Sequence, residues 1–229
     1  LLGMAVAASE PKVAVVRCAG CFEKRPRTIE YDGLRTCTAV NATGSGETGC
    51  GFGCLGCGDC VAACSFGAIA INPSTGLPEV DETKCTSCGA CAKACPRHII
   101  EIRPKGRVIK EVPHRVYVAC VNKDKGAVAK KNCQAACIGC GKCQKVCKFD
   151  AITVEGNVAY INPEKCKACG LCARECPTGA ITTTWPLPVI KPKAADDKTQ
   201  KAADPKPAPA AKPQAENTPN NNNTEGGKQ

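Results

Sequence analysis

The chain has 229 residues, 22 of them cysteine, and a formal net charge of +10 from 31 Lys and Arg against 21 Asp and Glu. Only 3% of residues are aromatic, so Tyr31, Tyr117, Tyr160 and Trp185 cannot organise a large hydrocarbon core. No stretch reaches about 18 apolar residues, which excludes a helical membrane span inside this chain.

The opening Leu-Leu-Gly-Met-Ala-Val-Ala-Ala has no basic leader and no initiator methionine, so it is expected to be neither a signal peptide nor a true start, and the chain reads as a fragment of a longer one. Lys12-Val-Ala-Val-Val-Arg17 alternates as a strand and runs directly into Cys18; Cys21 follows. Cys37-x12-Cys50-x3-Cys54 then opens a pattern that returns as Cys120-x12-Cys133-x3-Cys137. The chain is therefore an internal duplication whose unit includes leading cysteines.

Four cysteine runs follow within these repeats. They are Cys54, Cys57, Cys60 and Cys64; Cys85, Cys88, Cys91 and Cys95; Cys137, Cys140, Cys143 and Cys147; and Cys166, Cys169, Cys172 and Cys176. Each is C-x2-C-x2-C-x3-C, the bacterial ferredoxin spacing that holds a [4Fe-4S] cube. A disulfide scaffold would need distant partners in restrictive geometry, and structural zinc commonly joins two C-x2–4-C pairs across a spacer; neither explains triplets with a fourth cysteine three residues on. Thiolates that hold a cluster must stay reduced, which fits a reducing compartment. Pro96 and Pro177 follow the fourth cysteine of two runs, whereas Ser65 and Lys148 stand there in the others.

The three residues between third and fourth cysteines fit a short helix in each run. Ala68–Ile71 and Leu77–Val80 form a hairpin across Asn72-Pro-Ser-Thr-Gly76, repeated as Ala151–Val154 and Val158–Ile161. Gly89, Gly141 and Gly170 sit inside the cysteine loops, where a residue without Cβ lets backbone N–H groups reach sulfur. Residues 100–119 are expected to supply linking strands, Arg107–Val112 and Arg115–Val118 among them, so that Cys18 and Cys120 both end strands. From Lys191 the composition becomes Ala, Pro, Lys, Asp, Gln and Asn without apolar periodicity, which predicts disorder.

The expected fold class is α+β, with two tandem 2[4Fe-4S] ferredoxin modules and linking β-strands. The expected segments are 1–49, an N-terminal β and cysteine segment; 50–103, the first module; 104–132, a linking segment; 133–190, the second module; and 191–229, the tail. Two-cluster ferredoxins exchange the fourth ligand between runs. Cluster one is therefore assigned Cys54, Cys57, Cys60 and Cys95, and cluster two Cys85, Cys88, Cys91 and Cys64. Cluster three is assigned Cys137, Cys140, Cys143 and Cys176, and cluster four Cys166, Cys169, Cys172 and Cys147. Six cysteines remain: Cys18, Cys21, Cys37, Cys50, Cys120 and Cys133. Four of them suffice for a fifth cube, by proximity Cys18, Cys21, Cys37 and Cys50, or by repeat symmetry Cys37, Cys50, Cys120 and Cys133.

An oxidised four-thiolate cube carries about −2 overall, so four or five of them bring about −8 to −10 and leave the loaded protein near neutral. The basic balance is thus weak support for nucleic acid, and lysines such as Lys123, Lys125, Lys130 and Lys131 read as a solvated face or a docking face for an acidic carrier. His98 and His114 have no catalytic setting, Asp59 and Asp150 read as turn formers, and no nucleotide fingerprint is present. The chemistry expected is single-electron relay without bond making.

The segments Lys12-Val-Ala-Val-Val-Arg-Cys18-Ala-Gly20, Tyr31-Asp-Gly33, Cys50-Gly-Phe-Gly-Cys54-Leu-Gly56, Gly58-Asp-Cys60-Val61 and Gly76-Leu-Pro-Glu-Val-Asp81 carry a resemblance. So do Val118-Ala-Cys-Val-Asn-Lys-Asp-Lys-Gly126 and Cys133-Gln-Ala-Ala-Cys-Ile-Gly-Cys140. Over about residues 1–185 the chain resembles the B subunit of the Rnf complex, the ion-translocating ferredoxin:NAD+ oxidoreductase of bacterial membranes. The resemblance implies an electron-relay subunit at the cytoplasmic face of the inner membrane, exchanging electrons with soluble ferredoxin and with the other Rnf subunits, flavin- and NADH-binding and membrane subunits included. No nucleic acid partner is expected, since four or more cubes exceed what a structural cluster needs and a basic aromatic strip is missing. Family members begin with a membrane helix and a further cluster domain, so this fragment is expected to be peripheral. The resemblance further implies a fifth cube from Cys18, Cys37, Cys120 and Cys133, with Cys50 or Cys57 completing cluster one. An iron–sulfur subunit of a different redox enzyme, such as a hydrogenase or dehydrogenase, is the alternative.

Overall fold

The structure is a computed structural model that describes residues 10–187. The tail expected to be disordered lies outside the described residues. Ten short strands and six short helices appear among the described residues, an α+β fold in which no helix is long and apolar enough to cross a membrane.

Strand β1, Lys12–Val16, pairs antiparallel with β4, Ile100–Pro104. Strand β7, Val116–Val118, pairs in the same manner with β10, Ile181–Thr183. The duplication read in the sequence is thus built into the sheets. In each half a strand entering just before a cysteine is closed by the strand leaving the second ferredoxin run. The central hairpins are β2, Ile69–Ile71, with β3, Pro78–Val80, and β8, Ile152–Glu155, with β9, Val158–Ile161. The first turns where the Asn72 side chain accepts from the Ser74 amide at 2.9 Å. The second turns through Gly156 and Asn157, both at positive φ, the two-residue geometry that matches strand twist.

The expected Arg107–Val112 strand is corrected. β5, Arg107–Ile109, folds back on β6, Val112–His114, through Lys110 and Glu111 at positive φ. β-branched residues favour extended backbone on both sides of the turn, so composition alone does not reveal the reversal.

Helices α2 (Asp59–Ala62), α3 (Ala90–Ala94), α5 (Lys142–Lys145) and α6 (Leu171–Arg174) each carry the third cysteine of a run. Each begins after a left-handed glycine, Gly58, Gly89, Gly141 or Gly170, with φ between 70° and 88°. That conformation strains any residue with a Cβ, and it turns the chain sharply enough for the second and third cysteines to face one centre. Helices α1 (Cys37–Thr43) and α4 (Gly126–Asn132) precede the ferredoxin runs. Neither was expected from the sequence.

The apolar core is split between the halves and interleaved with thiols. Ile69, Ile99 and Ile100 pack with Cys54, Cys60 and Cys91, while Val116, Val118, Ile152, Ile161 and Ile181 pack with Cys137, Cys143 and Cys172. At roughly 1.5–3 kcal/mol per buried aliphatic side chain, cores this small leave much of the folding free energy to what the thiols bind.

Charged side chains stitch the halves. Arg103 donates to the Ile161 carbonyl at 2.7 Å and lies 3.2 Å from Glu101, which accepts from the Tyr160 hydroxyl at 2.7 Å. Arg17 reaches across to the Val118 carbonyl, and both guanidinium groups lie over the Tyr160 ring. Buried Arg115 is paired with Glu82 and donates to the Lys105 carbonyl at 2.9 Å. Arg115→Met is expected to destabilise the loaded protein by about 2 kcal/mol, because Glu82 keeps its charge but only part of its solvent. A lowered guanidinium midpoint under anaerobic conditions checks this, and an unchanged midpoint contradicts it.

Candidate cluster sites

The fold brings most of the singled-out cysteines into compact groups. Cys137, Cys140, Cys143 and Cys176 line one cavity, and Cys147, Cys166, Cys169 and Cys172 line another. The fourth cysteine of each run has therefore crossed to the other run's triplet. The first half repeats the exchange: Cys64 faces Cys85, Cys88 and Cys91, while Cys95 joins Cys54 and Cys60.

Cys37 also lines the cavity of Cys54, Cys60 and Cys95, and its thiol meets that of Cys57. The placement has a local cause. Asp59, one residue before Cys60, accepts from the Cys37 amide at 2.8 Å and the Thr38 amide at 3.1 Å. It thereby caps α1 beside the Thr36 hydroxyl, which accepts from the Ala39 amide. Burial works against ionisation of Asp59, but these amides and the Thr38 hydroxyl outweigh it and hold its carboxyl below its usual range. The Asp59 carboxylate thus ties the start of α1 to the first ferredoxin run.

A fifth group lies between the halves. Cys18, Cys50, Cys120 and Cys133 line a common cavity. This differs from all three expected foursomes, each of which included Cys37: Cys50 stands with Cys18, Cys120 and Cys133, and Cys37 lies with the first run. Cys18 ends β1 and Cys120 ends β7, so these two are the equivalent positions. The Cys54 amide donates to the Cys18 sulfur at 3.4 Å, and the Cys137 amide donates to the Cys120 sulfur. The central group therefore touches the first run on one side and the third run on the other. Asn122, almost wholly buried, donates its amide nitrogen to the Cys50 sulfur at 3.6 Å and its backbone N–H to the Cys120 sulfur at 3.5 Å. Cys21 serves a turn, its carbonyl accepting from the Lys24 and Arg25 amides. His114 stacks on Trp185 with ring centroids 4.2 Å apart, a packing role.

Burial pushes the Cys54 and Cys172 thiols up to about 12, and Cys57, Cys60, Cys120 and Cys143 up to about 11; neighbouring cysteines push in the same direction. Cys64 is lowered instead, by the amides of Ala68 and Phe66. Buried, crowded thiolates are costly alone and favourable around a cationic core that takes the place of their protons. Among the described residues no three Cys, His, Asp or Glu side chains converge closely enough to grip a single ion. The grouped thiols fit the iron–sulfur group that their spacing implies.

Known proteins agree. The 4Fe-4S dicluster domain family matches residues 53–99 and 136–180, and a second family of that description matches 84–151. The chain is 44% identical over 167 residues to the B subunit of the Na+-translocating ferredoxin:NAD+ oxidoreductase complex of Acetobacterium woodii, covering 73% of this chain and 48% of that protein. It is 43% identical to the B subunit of the proton-translocating ferredoxin:NAD+ oxidoreductase complex of Clostridium ljungdahlii, covering 72% and 56%. It is 39% identical to the B subunit of the ion-translocating oxidoreductase complex of Methanosarcina acetivorans, covering 72% and 60%. The chain thus spans about half the length of the relatives it matches. A solved formate dehydrogenase–heterodisulfide reductase–formylmethanofuran dehydrogenase complex from Methanospirillum hungatei aligns at 24% identity over 56% of this chain and 51% of that one, with a TM-score of 0.21, too loose to bear on the fold. Over about three quarters of its length the chain belongs to the B-subunit family of the ion-translocating ferredoxin:NAD+ oxidoreductase (Rnf) complexes.

Proposed function

We propose that this chain relays single electrons between reduced ferredoxin and the remaining subunits of a membrane ion-pumping NAD+ reductase, through five [4Fe-4S] centres in one file. The observation that carries the reading is the central group of Cys18, Cys50, Cys120 and Cys133, which lies in contact with the ferredoxin runs of both halves. The file runs from the Cys64, Cys85, Cys88, Cys91 group to the Cys54, Cys60, Cys95 group, then through the centre to the Cys137, Cys140, Cys143, Cys176 group and the Cys147, Cys166, Cys169, Cys172 group. Bound there, iron–sulfur cubes accept and release one electron each.

The chain's own residues do the rest. The cysteines hold the centres at fixed separations, and the strand pairs β1–β4 and β7–β10 fix the halves around the central group. Cys88, Cys140 and Cys169 are exposed, which gives three of the groups an edge at the surface where a partner's cofactor can approach. Segments 50–103 and 133–190 act as the two modules, with 1–49 and 104–132 supplying the cysteines between them and 191–229 as a tail. Soluble ferredoxin is the proposed electron partner, the flavin- and NADH-binding and membrane subunits the other. A cytoplasmic-face, peripheral location follows from these partners.

Anaerobic iron and acid-labile sulfide analysis tests the count: about 20 irons per chain supports five centres, and about 16 removes the central one. Mixing the loaded chain with reduced ferredoxin tests the function. Bleaching of the visible absorption with stoichiometric ferredoxin oxidation is expected. Chemical reducibility by dithionite without any exchange with ferredoxin would overturn the assigned partner.

A further inference from the structure

The central group carries a buried cation with no counter-ion among the described residues. Arg25 is 9% exposed, and of its three guanidinium nitrogens only Nη2 has an acceptor, the Cys54 carbonyl at 2.6 Å. Nε and Nη1 are buried and have no hydrogen-bond partner. They are also the two that lie beside the glycines bordering the central thiols. A Cβ placed on Gly20 would meet Nε at 3.2 Å and the Cys133 sulfur at 3.3 Å; one placed on Gly53 would collide with Nη1 and meet the Cys50 sulfur at 3.4 Å. Two glycines thus leave the room in which the Arg25 fork stands beside Cys50 and Cys133.

The other buried and half-buried arginines are different. Arg103 faces Glu101 and Arg115 faces Glu82. Arg17 pairs with Glu101, and Arg97 spends its donors on the Cys50, Gly53 and Gly44 carbonyls and the Asn41 side chain. Among the described residues Arg25 has no carboxylate in ion-pair contact, and no carboxylate lines the central cavity. Burying a guanidinium with two unused donors is strongly unfavourable unless an anion stands against it. The cavity lined by Cys137, Cys140, Cys143 and Cys176 contains no charged residue besides its thiols, so the contrast is internal to the molecule.

We infer that Arg25 is the built-in counter-ion of the centre held by Cys18, Cys50, Cys120 and Cys133, and that its Nε and Nη1 donors make that centre the most readily reduced of the file. This rests on the reading that the central group holds a cube. A fixed positive charge and N–H donors at sulfur stabilise the more negative, reduced form, so both raise the reduction potential. Arg25 is a positioning and tuning residue. Electrons entering either half would collect at the junction between the halves.

The test is redox-titrated EPR of the loaded chain, with iron analysis, on wild type, Arg25→Gln and Arg25→Lys. Arg25→Gln removes the charge and is expected to retain about 20 irons while the highest midpoint falls by a tenfold or greater change in its reduction equilibrium, 59 mV per tenfold for one electron. The first-run midpoint should fall less, since Nη2 donates to the Cys54 carbonyl, and the other three should stay in place. Arg25→Lys keeps a charge but loses the fork, and is expected to give a smaller fall in that midpoint. Full iron with unmoved midpoints in Arg25→Gln overturns the inference. If Arg25→Gln fails to load the centre, Arg25→Lys decides: loading with a lowered midpoint supports the inference, whereas loading with an unmoved one overturns it. Loss of the centre in both variants also overturns the tuning role and leaves Arg25 a scaffold residue. A wild type with about 16 irons would instead sink the central centre itself, a separate outcome.

Discussion

Cys50→Ala is expected to remove one centre and leave the other four. Iron should fall from about 20 to about 16 per chain, and one EPR component should vanish while the ferredoxin-run components keep their midpoints. The geometry requires this of Cys50 and not of Cys37. The Cys50 thiol stands with Cys18 and Cys133 and accepts from the Asn122 amide, whereas Cys37 lies in the cavity of the first run. Because the central group lies between the first and third ferredoxin runs, the variant should also split the relay. After mixing with a limiting amount of reduced ferredoxin, freeze-quenched EPR should show the electrons confined to the half that received them, while in wild type they spread to both. Cys21→Ala is the control and should change neither quantity, since that residue contributes its carbonyl to a turn. Retention of all iron in Cys50→Ala, with spreading intact, would contradict the assignment of the central group.

What the sequence made legible, and what it hid, divides along local and long-range physics. The helices at the third cysteines and the hairpins between runs are local: a left-handed glycine, an Asn-Pro or Gly-Asn turn and alternating aliphatics specify them within a few residues. The parity of Cys18 and Cys120 was readable for the same reason, because a strand leads directly into each. Equal spacing is what sets Cys37 beside Cys120 and Cys133 in the symmetric foursome. Cys37-x12-Cys50 and Cys120-x12-Cys133 match in number, but the structural partners of Cys120 and Cys133 are Cys18 and Cys50. The first half spends the extra length between Cys18 and Cys50 on a loop and on α1, whose start is fixed by Asp59, a residue 22 positions away from Cys37. No periodicity encodes such a tether. Arg25 was hidden more completely. As one of many basic residues it has no motif, and only its burial beside Gly20 and Gly53 distinguishes it from the solvated charges.

The first-run group has five cysteines where a cube takes four, and this sets up the second large effect. Cys54, Cys60 and Cys95 are common to any arrangement, while Cys37 and Cys57 stand thiol to thiol at the remaining corner. Cys57 is where the ferredoxin spacing wants its second ligand; Cys37 is delivered to the same place by the Asp59 cap. Burial is the main reason the Cys57 thiol is pushed up to about 11, with the neighbouring Cys37 next. Cys37→Ala and Cys57→Ala should therefore each retain about 20 irons, with a modest change in one midpoint as the ligand changes. The double variant should drop to about 16 and lose the first-run EPR component. The same double variant should be less stable than either single one by more than the two effects add, since losing one centre removes a cross-link between the two runs that share it. Loss of the centre in Cys57→Ala alone would make Cys37 a bystander, and loss in Cys37→Ala alone would make Cys57 the spare. Either result would end the interchange while leaving the exchanged pairing of Cys95 and Cys64 intact.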